Sequence, residues 1–359
     1  MKNIALNRRS MVAKLREKYP ANHVTHLAFA ECSLVVRSNS AQLTAYLEHY
    51  FHPFLSHYAG KAMIEITAHE APPPEFSEDF IIKEPDAGKT KIKEEFLDLE
   101  DGRVVRKRLT SMVFIFGGAD NLAVGPCIAN PNQVINFVNN RFINWKLKQG
   151  YLLGHAAGVK WNGGGLALAG FSGMGKSTLA LHLMSRGTSF VSNDRLLVKS
   201  ASRNIAMYGV AKLPRINPGT ALNNDNLQGL IPPDEKKRFA DLPIDELWDL
   251  EYKYDVFLDE AYGPGLFELY APMKGLVILN WQRNNEQTVM HEVDPAARQD
   301  LLPAVMKSTG LFFLPEEEAS VLDHSPDNYI AMLSHCTVME ISGGVDFAVA
   351  ADACMDFLR

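Results

Sequence analysis

The sequence predicts an α/β protein with two domains. Its 359 residues exceed the usual size of a single hydrophobic core. Apolar runs that favour strands alternate along the chain with segments of helical periodicity. A glycine-rich stretch also lies between an apolar strand and a helical pattern, as in many α/β domains, in "GLALAGFSGMGKSTLALHLM". We expect a smaller mixed α/β domain at residues 1–130 and a larger domain at residues 131–359.

Local patterns predict the elements of the first domain. The segment "HLAFAECSLVVRS" is an apolar strand, and a helical pattern follows it through Leu43, Leu47 and Phe51. The proline-rich, charged stretch "APPPEFSEDF" disfavours regular helix and indicates an exposed excursion. The Asp101-Gly102 pair separates two β-prone runs, which predicts a tight hairpin.

The second domain is predicted to begin with a helix at the Asn130-Pro131 pair, which ends at Gly150. The Asn162-Gly163 pair then predicts a turn between two strands, and the second strand leads into the glycine-rich stretch. Further strands are predicted at "TSFVSNDRLLV", "KGLVILNW" and "CTVMEIS". The acid-rich segment 234–260 has no clean period, and it is either a mobile cover for a substrate or a packed peripheral subdomain.

Composition excludes several classes of function. The net charge of -6 and the isoelectric point near 6.0 argue against a surface that neutralises nucleic-acid phosphates. The four cysteines form no C-x-x-C pair, which fits a reducing cytoplasm without zinc or disulfides. No apolar run approaches the roughly 20 residues of a membrane span. We therefore expect a cytoplasmic protein without a transmembrane segment, and a homo-oligomer is possible. The basic opening "MKNIALNRRSMVAKLREKYP" is either a solvated helix or a helix on a membrane surface.

The glycine-rich stretch satisfies the G-x-x-x-x-G-K-[ST] pattern of a phosphate-binding loop, with Gly170, Gly175, Lys176 and Ser177. Glycines let backbone N–H groups turn inward around an anion, and the following helix adds its positive N-terminal end. Lys176 is expected to reach the β- and γ-phosphates of ATP, and Ser177 to help hold Mg²⁺. A glycine-rich turn that binds no nucleotide is the alternative. The expected nucleotide contacts are Gly170, Ser172, Gly173, Met174, Gly175, Lys176, Ser177 and Thr178.

Two further residues are candidates for the chemistry. Asp194 ends the apolar stretch "SFVSND", where a carboxylate can organise Mg²⁺, although an ordinary turn residue is the alternative. His155 lies on the strand predicted to pair with the strand before the loop. It can therefore lie beside the phosphates, or it is a structural histidine. We expect Lys176, Asp194 and His155 to be catalytic, and Ser177 and Asp194 to hold the metal.

With these residues in place, "GHAAGVKWNGGGLALAGFSGMGKSTLALHLMSRGTSFVSNDRLLV" resembles HPr kinase/phosphorylase and its relatives, and most of all the HprK-related kinase B branch. The resemblance implies a P-loop kinase domain of the HPr kinase/phosphoenolpyruvate carboxykinase type on a mixed sheet. It also implies transfer of phosphate from ATP to a protein serine. In that family a His-Gly pair precedes the loop, and two adjacent aspartates follow its helix, one for metal binding and one as the acid/base.

This sequence departs from the family pattern at two positions, and it also lacks the family's later acid-x-Arg-Gly signature, with "AKLPRINPG" near the place of that signature. Ala156 follows His155 where the family has glycine, and Asn193-Asp194 stands where the family has two aspartates. Because asparagine cannot accept a proton as a base, Asp194 has to serve both roles or another carboxylate has to replace the missing one. Arg215, near where the family has a later arginine, either stabilises the transferred phosphoryl group or forms a surface salt bridge.

These observations favour an ATP- and Mg²⁺-dependent kinase whose acceptor is a hydroxyl, possibly of a protein serine. The first alternative is a phosphotransferase that acts on a small molecule. The second is a nucleotide-binding regulatory protein with weak or no catalysis, for which Asn193 is the motivating residue. The acceptor, whether protein or small molecule, is not identified by the sequence.

Overall fold

The structure is a computed structural model, and it describes residues 7–57, 60–85, 90–201, 204–243, 246–247, 250, 252–284, 286–315 and 323–359. Contacts divide these residues into two compact units. The first unit comprises residues up to Lys148 together with a segment that begins at Thr309, and the second comprises the remainder. The boundary therefore falls after the helix that the sequence places at the start of the second domain, because that helix packs on the sheet of the first unit.

The first unit is a mixed sheet with three helices among its described residues. The strands are β1 (His23–Phe29), β2 (Cys32–Ser38), β3 (Ile64–Glu70), β4 (Ile81–Ile82), β5 (Glu94–Leu99), β6 (Gly102–Lys107), β7 (Val113–Gly117) and β8 (Asp120–Gly125), in the order β1-β2-β3-β8-β7-β6-β5-β4. The helices are α1 (Arg8–Lys18), α2 (Ala41–Tyr50) and α3 (Pro131–Leu147), with a 3₁₀ helix at His52–Phe54. β2, β3 and β8 are parallel to one another, and the other pairs are antiparallel.

Local sequence explains most of these elements. The hairpin predicted at Asp101-Gly102 forms between β5 and β6. The run predicted as one strand from His26 is instead two antiparallel strands, since the chain reverses at Ala30, which has a φ of 52°. The basic helix α1 is not simply solvated, because Arg8 is buried and pairs with Asp101 and Asp120.

The second unit contains a larger mixed sheet. Its strands are β9 (Leu152–Gly154), β10 (Ala156–Trp161), β11 (Gly164–Gly170), β12 (Ser189–Ser192), β13 (Leu196–Ala201), β14 (Asn204–Tyr208), β17 (Tyr270–Leu279), β18 (Val289–Glu292) and β19 (Thr337–Ser342), and a separate pair is formed by β15 (Arg215–Ile216) and β16 (Tyr254–Asp255). The helices are α4 (Lys176–Met184), α5 (Pro218–Leu222), α6 (Pro233–Ala240), α7 (Leu258–Tyr262), α8 (Pro326–Leu333) and α9 (Phe347–Leu358), with 3₁₀ helices at Asp225–Leu230 and Gln299–Ala304.

The central strands of this sheet run parallel and end at a common edge. The order is β12-β10-β11-β17-β14-β13-β9, and β19 also lies beside β17. β11, β17 and β19 are parallel, and β11 continues at its carboxyl end into the glycine-rich stretch. In α/β proteins this edge is where ligands bind. The expected α/β class and mixed sheet are thus confirmed.

Two chain crossings connect strands that lie far apart in the sheet order. β9 and β12 stand at opposite ends of the order, yet β9 continues through His155 into β10, and β12 continues through residues 193–195 into β13. Both crossings occur beside the strand that precedes the glycine-rich stretch. Among the described residues, no helix is both long enough and apolar enough to cross a membrane.

Candidate functional site

The residues from Gly170 to Ser177, here called the phosphate loop, connect β11 to α4. Gly173 and Gly175 have φ values of 84° and 85°, a left-handed conformation that glycine adopts without steric cost. Gly175 is the N-cap of α4, and no side chain caps the helix there. The first amide groups of α4 are therefore left without a side-chain acceptor at the end of the helix that favours anions.

Three aromatic rings, here called the aromatic cluster, support the phosphate loop from one side. They belong to Trp281, Phe347 and His182. Phe347 stacks on His182 with ring centroids 5.6 Å apart, and it meets Trp281 edge-on at 5.0 Å. Trp281 Nε1 donates a hydrogen bond of 3.0 Å to the carbonyl of Met174. A Cβ at Gly175 would lie 2.5 Å from the Phe347 ring, so the cluster leaves room for glycine only.

The ammonium group of Lys176 is held inside the phosphate loop. Lys176 is buried, and its Nζ donates hydrogen bonds to the carbonyls of Gly170 at 2.6 Å and Phe171 at 3.2 Å. Burial lowers the pKa of Lys176 to about 8, while the negative charge of Asp194 acts in the opposite direction. The lysine therefore remains mostly protonated near neutral pH and is able to exchange carbonyl oxygens for phosphate oxygens.

The remaining predicted loop residues differ in what they offer a ligand. Ser172 and Gly173 are exposed at the crest, and Ser177 is half-buried in the first turn of α4. The amide of Met174 donates to the carbonyl of Phe171 at 3.2 Å, so this expected phosphate contact already has a partner. The hydroxyl of Thr178 lies 2.8 Å from that of Thr220, which ties α4 to α5.

His155 lies next to the phosphate loop because of strand register. Ala156 pairs with Ala169, so the preceding residue lies beside Gly170. The His155 amide donates to the carbonyl of Val305 at 2.7 Å. Burial, followed by the positive charges of Lys176 and Lys307, lowers the pKa of His155 to about 4. At neutral pH the imidazole is therefore uncharged, and one ring nitrogen is available as an acceptor.

Asp194 lies in the turn opposite His155. The turn spans residues 193–195, and the flanking pairs Gly158 with Ser192 and Gly154 with Leu196 align it with His155. Ser192 closes the turn by donating from Oγ to the carbonyl of Arg195 at 2.5 Å. The charge of Asp194 raises the pKa of both His155 and Lys176 against their larger lowering by burial. The structure thus brings together the three residues expected to be catalytic.

The turn at residues 193–195 contains two side-chain oxygens that accept no hydrogen bond from the described residues. Within the part of the chain that is described, Asp194 Oδ1 and Asn193 Oδ1 are buried and accept no hydrogen bond. A buried carboxylate oxygen that accepts no hydrogen bond is costly, so Asp194 is a candidate ligand for a cation.

The donor set suits Mg²⁺ better than a metal held wholly by protein. Over the described ranges, no three His, Cys, Asp or Glu side chains are grouped to hold a metal ion. Mg²⁺ commonly takes only one or two protein ligands and fills its octahedron with phosphate oxygens and water. The Asp194 carboxylate and the Ser177 hydroxyl fit that requirement in chemistry and number.

Two lysines near this site were not predicted from the sequence. Lys307 acts on the pKa of both His155 and Lys176, and it follows the 3₁₀ helix at Gln299–Ala304. Burial lowers the pKa of Lys212, and Asp194 opposes that shift. Neither lysine belongs to a recognisable motif, so only the fold reveals them. They make the surroundings of Asp194 predominantly positive, which suits a polyphosphate ligand.

The structure favours one of the two interpretations given above for Arg215, and one of the two given for the segment 234–260. Arg215 is half-exposed, and its Nε lies 3.0 Å from Asp255 Oδ1 across the β15–β16 pair, which favours the salt bridge over a role in phosphoryl transfer. In the segment 234–260, Phe239, Val256 and Leu258 are buried, which favours a packed subdomain over a mobile cover. Trp248, an aromatic residue of the same segment, lies outside the described residues.

No family model matches the chain, and no curated protein matches it. Among solved structures, the Hpr(Ser) kinase/phosphatase from Coxiella burnetii is similar to this chain. The similarity covers 57% of this chain and 88% of that chain, with 10% sequence identity and a TM-score of 0.28. A likeness at that level carries no argument about activity, which has to be inferred from the residues of the site.

Proposed function

We propose that the protein is a kinase that transfers the γ-phosphate of ATP, with Mg²⁺, to a hydroxyl acceptor. The observation that carries this proposal is the buried Oδ1 of Asp194, which accepts no hydrogen bond from the described residues and lies in the turn opposite His155, together with the charge interaction between Asp194 and Lys176 in the phosphate loop. A phosphate loop by itself supports nucleotide binding only. A carboxylate that also lacks a donor provides a ligand for the metal or a base for the acceptor.

Each residue has a defined part in this proposal. The Lys176 ammonium and the amides of the phosphate loop hold the β- and γ-phosphates. Ser177 and Asp194 hold Mg²⁺, which would neutralise charge on the phosphates. His155, uncharged at neutral pH, lies beside the transferred group and offers a ring nitrogen as hydrogen-bond acceptor to the attacking hydroxyl.

The direct test is transfer of labelled γ-phosphate from ATP with Mg²⁺ present. We expect Lys176→Met to lose at least about a hundredfold in transfer, since it removes the cation that faces the phosphates. Lys199→Met is the matched control, because Lys199 lies on β13 and donates instead to the carbonyl of Gln149. Equal activity of the Lys176 variant and the control would contradict the proposal.

The acceptor hydroxyl belongs either to a protein serine or to a small molecule. The sequence resemblance favours a protein serine, and the same site chemistry serves a small-molecule hydroxyl. Incubation of the protein with labelled ATP and a cell extract separates the two. Label in a protein band that yields phosphoserine supports the first, whereas label in a small product supports the second.

A nucleotide-binding regulator is the second candidate, and Asn193 is the observation that favours it. Its side-chain oxygen is buried and accepts no hydrogen bond from the described residues, and it cannot act as a base. Saturable ATP binding without transfer to any acceptor would support this candidate. If Asn193→Asp then raises the transfer rate, the missing aspartate is the reason for the weak catalysis.

A further inference from the structure

The first unit contains a cavity of about 730 Å³ that plays no part in the proposed function. It is lined by the β5–β6 hairpin, the β7–β8 turn, one side of α3 and the segment around Leu314. Arg141, Asn144 and Lys148 all face it, and their spacing of three and four residues places them on one side of α3 and its C-cap. Other positions of α3, such as Val138 and Phe142, supply core residues.

Arg141 is the unusual residue of this cavity. Its side chain is 4% exposed, and the guanidinium carbon lies 4.3 Å from the ring centroid of Phe116 and 5.2 Å from that of Phe137. Its Nη2 donates to the carbonyl of Phe312, whereas its Nε is buried and has no acceptor among the described residues. Among the described residues, no carboxylate forms an ion pair with Arg141.

A buried guanidinium without an anion is energetically unfavourable. Contacts with two aromatic faces and one carbonyl recover only part of the hydration that the group loses. Burial lowers the pKa of Arg141 to about 9, so it still carries its charge at neutral pH. Since the cavity gives access to this group, an anion from solution is able to supply the missing partner.

The acidic residues around the cavity do not fill that role. Asp98 is paired with Arg103, at 2.5 Å and 3.1 Å, and Asp101 is paired with Arg8 at 3.2 Å. Glu100 is exposed at the rim. Paired acids contribute little net repulsion at the buried end of the cavity, where Arg141 lies.

Asn144 adds a neutral donor next to Arg141. Its Oδ1 accepts a hydrogen bond of 3.4 Å from the Leu314 amide, which orients the side chain and leaves its amino group as a donor. A guanidinium and an amide one helical turn apart can both donate to the oxygens of a carboxylate or a phosphate. We propose that this cavity binds the carboxylate or phosphate group of a small anionic ligand through Arg141 and Asn144.

The test is ligand binding by the whole chain in the absence of nucleotide, so its result is independent of kinase activity. Inorganic phosphate and citrate are titrated separately by calorimetry and by thermal unfolding. A probe at ten times its Kd should raise the midpoint of the first unit by about 3 °C. Saturation by phosphate or by citrate that persists in Lys176→Met, which lacks the cation of the phosphate loop, supports the proposal, and saturation by neither overturns it.

Variants locate the binding. Arg141→Met should weaken the bound anion at least tenfold, and Arg37→Met, which makes the same change on β2 outside the cavity lining, should weaken it less than threefold. Asn144→Asp places a carboxylate beside the guanidinium and should also weaken binding at least tenfold, which covers the case in which Arg141→Met fails to fold. Unchanged affinity in both the Arg141 and Asn144 variants would overturn the proposal.

One further variant tests whether the chain supplies its own anion. Glu316, Glu317 and Glu318 follow Pro315 in the sequence and lie outside the described residues. The proposal predicts the same affinity for phosphate or citrate, within twofold, after all three are changed to Gln. Binding that appears only in this triple variant would assign Arg141 to the chain's own glutamates and overturn the proposal.

Discussion

Substituting alanine at two glycines of the phosphate loop separates backbone strain from packing against the aromatic cluster. Gly173 and Gly175 have nearly the same positive φ, 84° and 85°. They differ in their surroundings: a Cβ at Gly173 would meet nothing within 4 Å, whereas one at Gly175 would lie 2.5 Å and 2.7 Å from atoms of the Phe347 ring. Gly173→Ala is therefore a matched control for Gly175→Ala.

The expected magnitudes follow from these distances. A left-handed alanine costs about 1–2 kcal/mol, and the lower entropy of the unfolded chain returns about 0.4–1 kcal/mol. Gly173→Ala should therefore destabilise the nucleotide-free protein by about 1 kcal/mol. Gly175→Ala adds the displacement of the Phe347 ring, for which overpacking typically costs about 1–3 kcal/mol. We expect it to lower the free energy of unfolding by about 3 kcal/mol.

The assay is urea unfolding of nucleotide-free protein, compared at equal m-values so that the differences report stability. A double variant tests the cause, because Phe347→Leu shortens the side chain that collides. Phe347→Leu should cost less in the Gly175→Ala background than in the wild type, by about 1 kcal/mol or more. Equal destabilisation by Gly173→Ala and Gly175→Ala, or additivity in the double-mutant cycle, would refute the reasoning.

Three further predictions follow from contacts described above. Because the folded-state pKa of His155 is lowered to about 4, the unfolded chain binds more protons between about pH 4 and 6.5, and stability falls as the pH is lowered through that range. His155→Asn should reduce this slope in urea midpoints measured across the range, and an unchanged slope would contradict the assignment. Trp281→Phe removes the hydrogen bond to the Met174 carbonyl and leaves a small cavity where the buried indole was larger, so it should cost at least about 1 kcal/mol and raise the KM for ATP several-fold with kcat nearly unchanged; an unaltered KM would count against support of the loop by this ring. Arg8→Ala leaves Asp101 and Asp120 without their buried partner and should destabilise the first unit by about 3 kcal/mol in calorimetry, whereas Arg9→Ala, at an exposed position, should cost less than about 1 kcal/mol.

The parts of the site that the sequence predicts are those that local patterns determine. The phosphate loop is contiguous, so the spacing of Gly170, Gly175 and Lys176 places its backbone between a strand and a helix without knowledge of the rest of the fold. The positions of His155 and Asp194 could also be predicted from the sequence, since each lies next to a predicted strand. Their roles in catalysis remain predictions.

The support of the loop could not be predicted because it comes from distant segments. Trp281 follows β17, and Phe347 begins α9, more than one hundred residues beyond the loop in the sequence. Nothing in their local sequence distinguishes these rings from ordinary core aromatics. Lys307 and Lys212 are similar cases, since the charge of Lys307 acts on His155, and that of Asp194 on Lys212, only in the folded chain.

In the fold, too, local patterns could be predicted from the sequence and contacts between distant segments could not. Both predicted hairpins formed because Asp-Gly and Asn-Gly pairs favour tight turns, and Asn162 and Gly163 indeed have φ values of 45° and 78°. The boundary between the two units could not be predicted correctly from the sequence, because the helical period of α3 indicates one buried side but not which sheet covers it. Contacts with β3 and β8 assign the helix to the first unit.

The contact between Phe347 and Gly175 also bears on synthesis of the chain at the ribosome. The loop emerges early, whereas the ring that packs on it is translated only after β17, α8 and β19. A nascent chain that contains the whole glycine motif therefore still lacks the support of its turn. The nucleotide affinity that we propose should consequently appear only after α9 has emerged from the exit tunnel and docked.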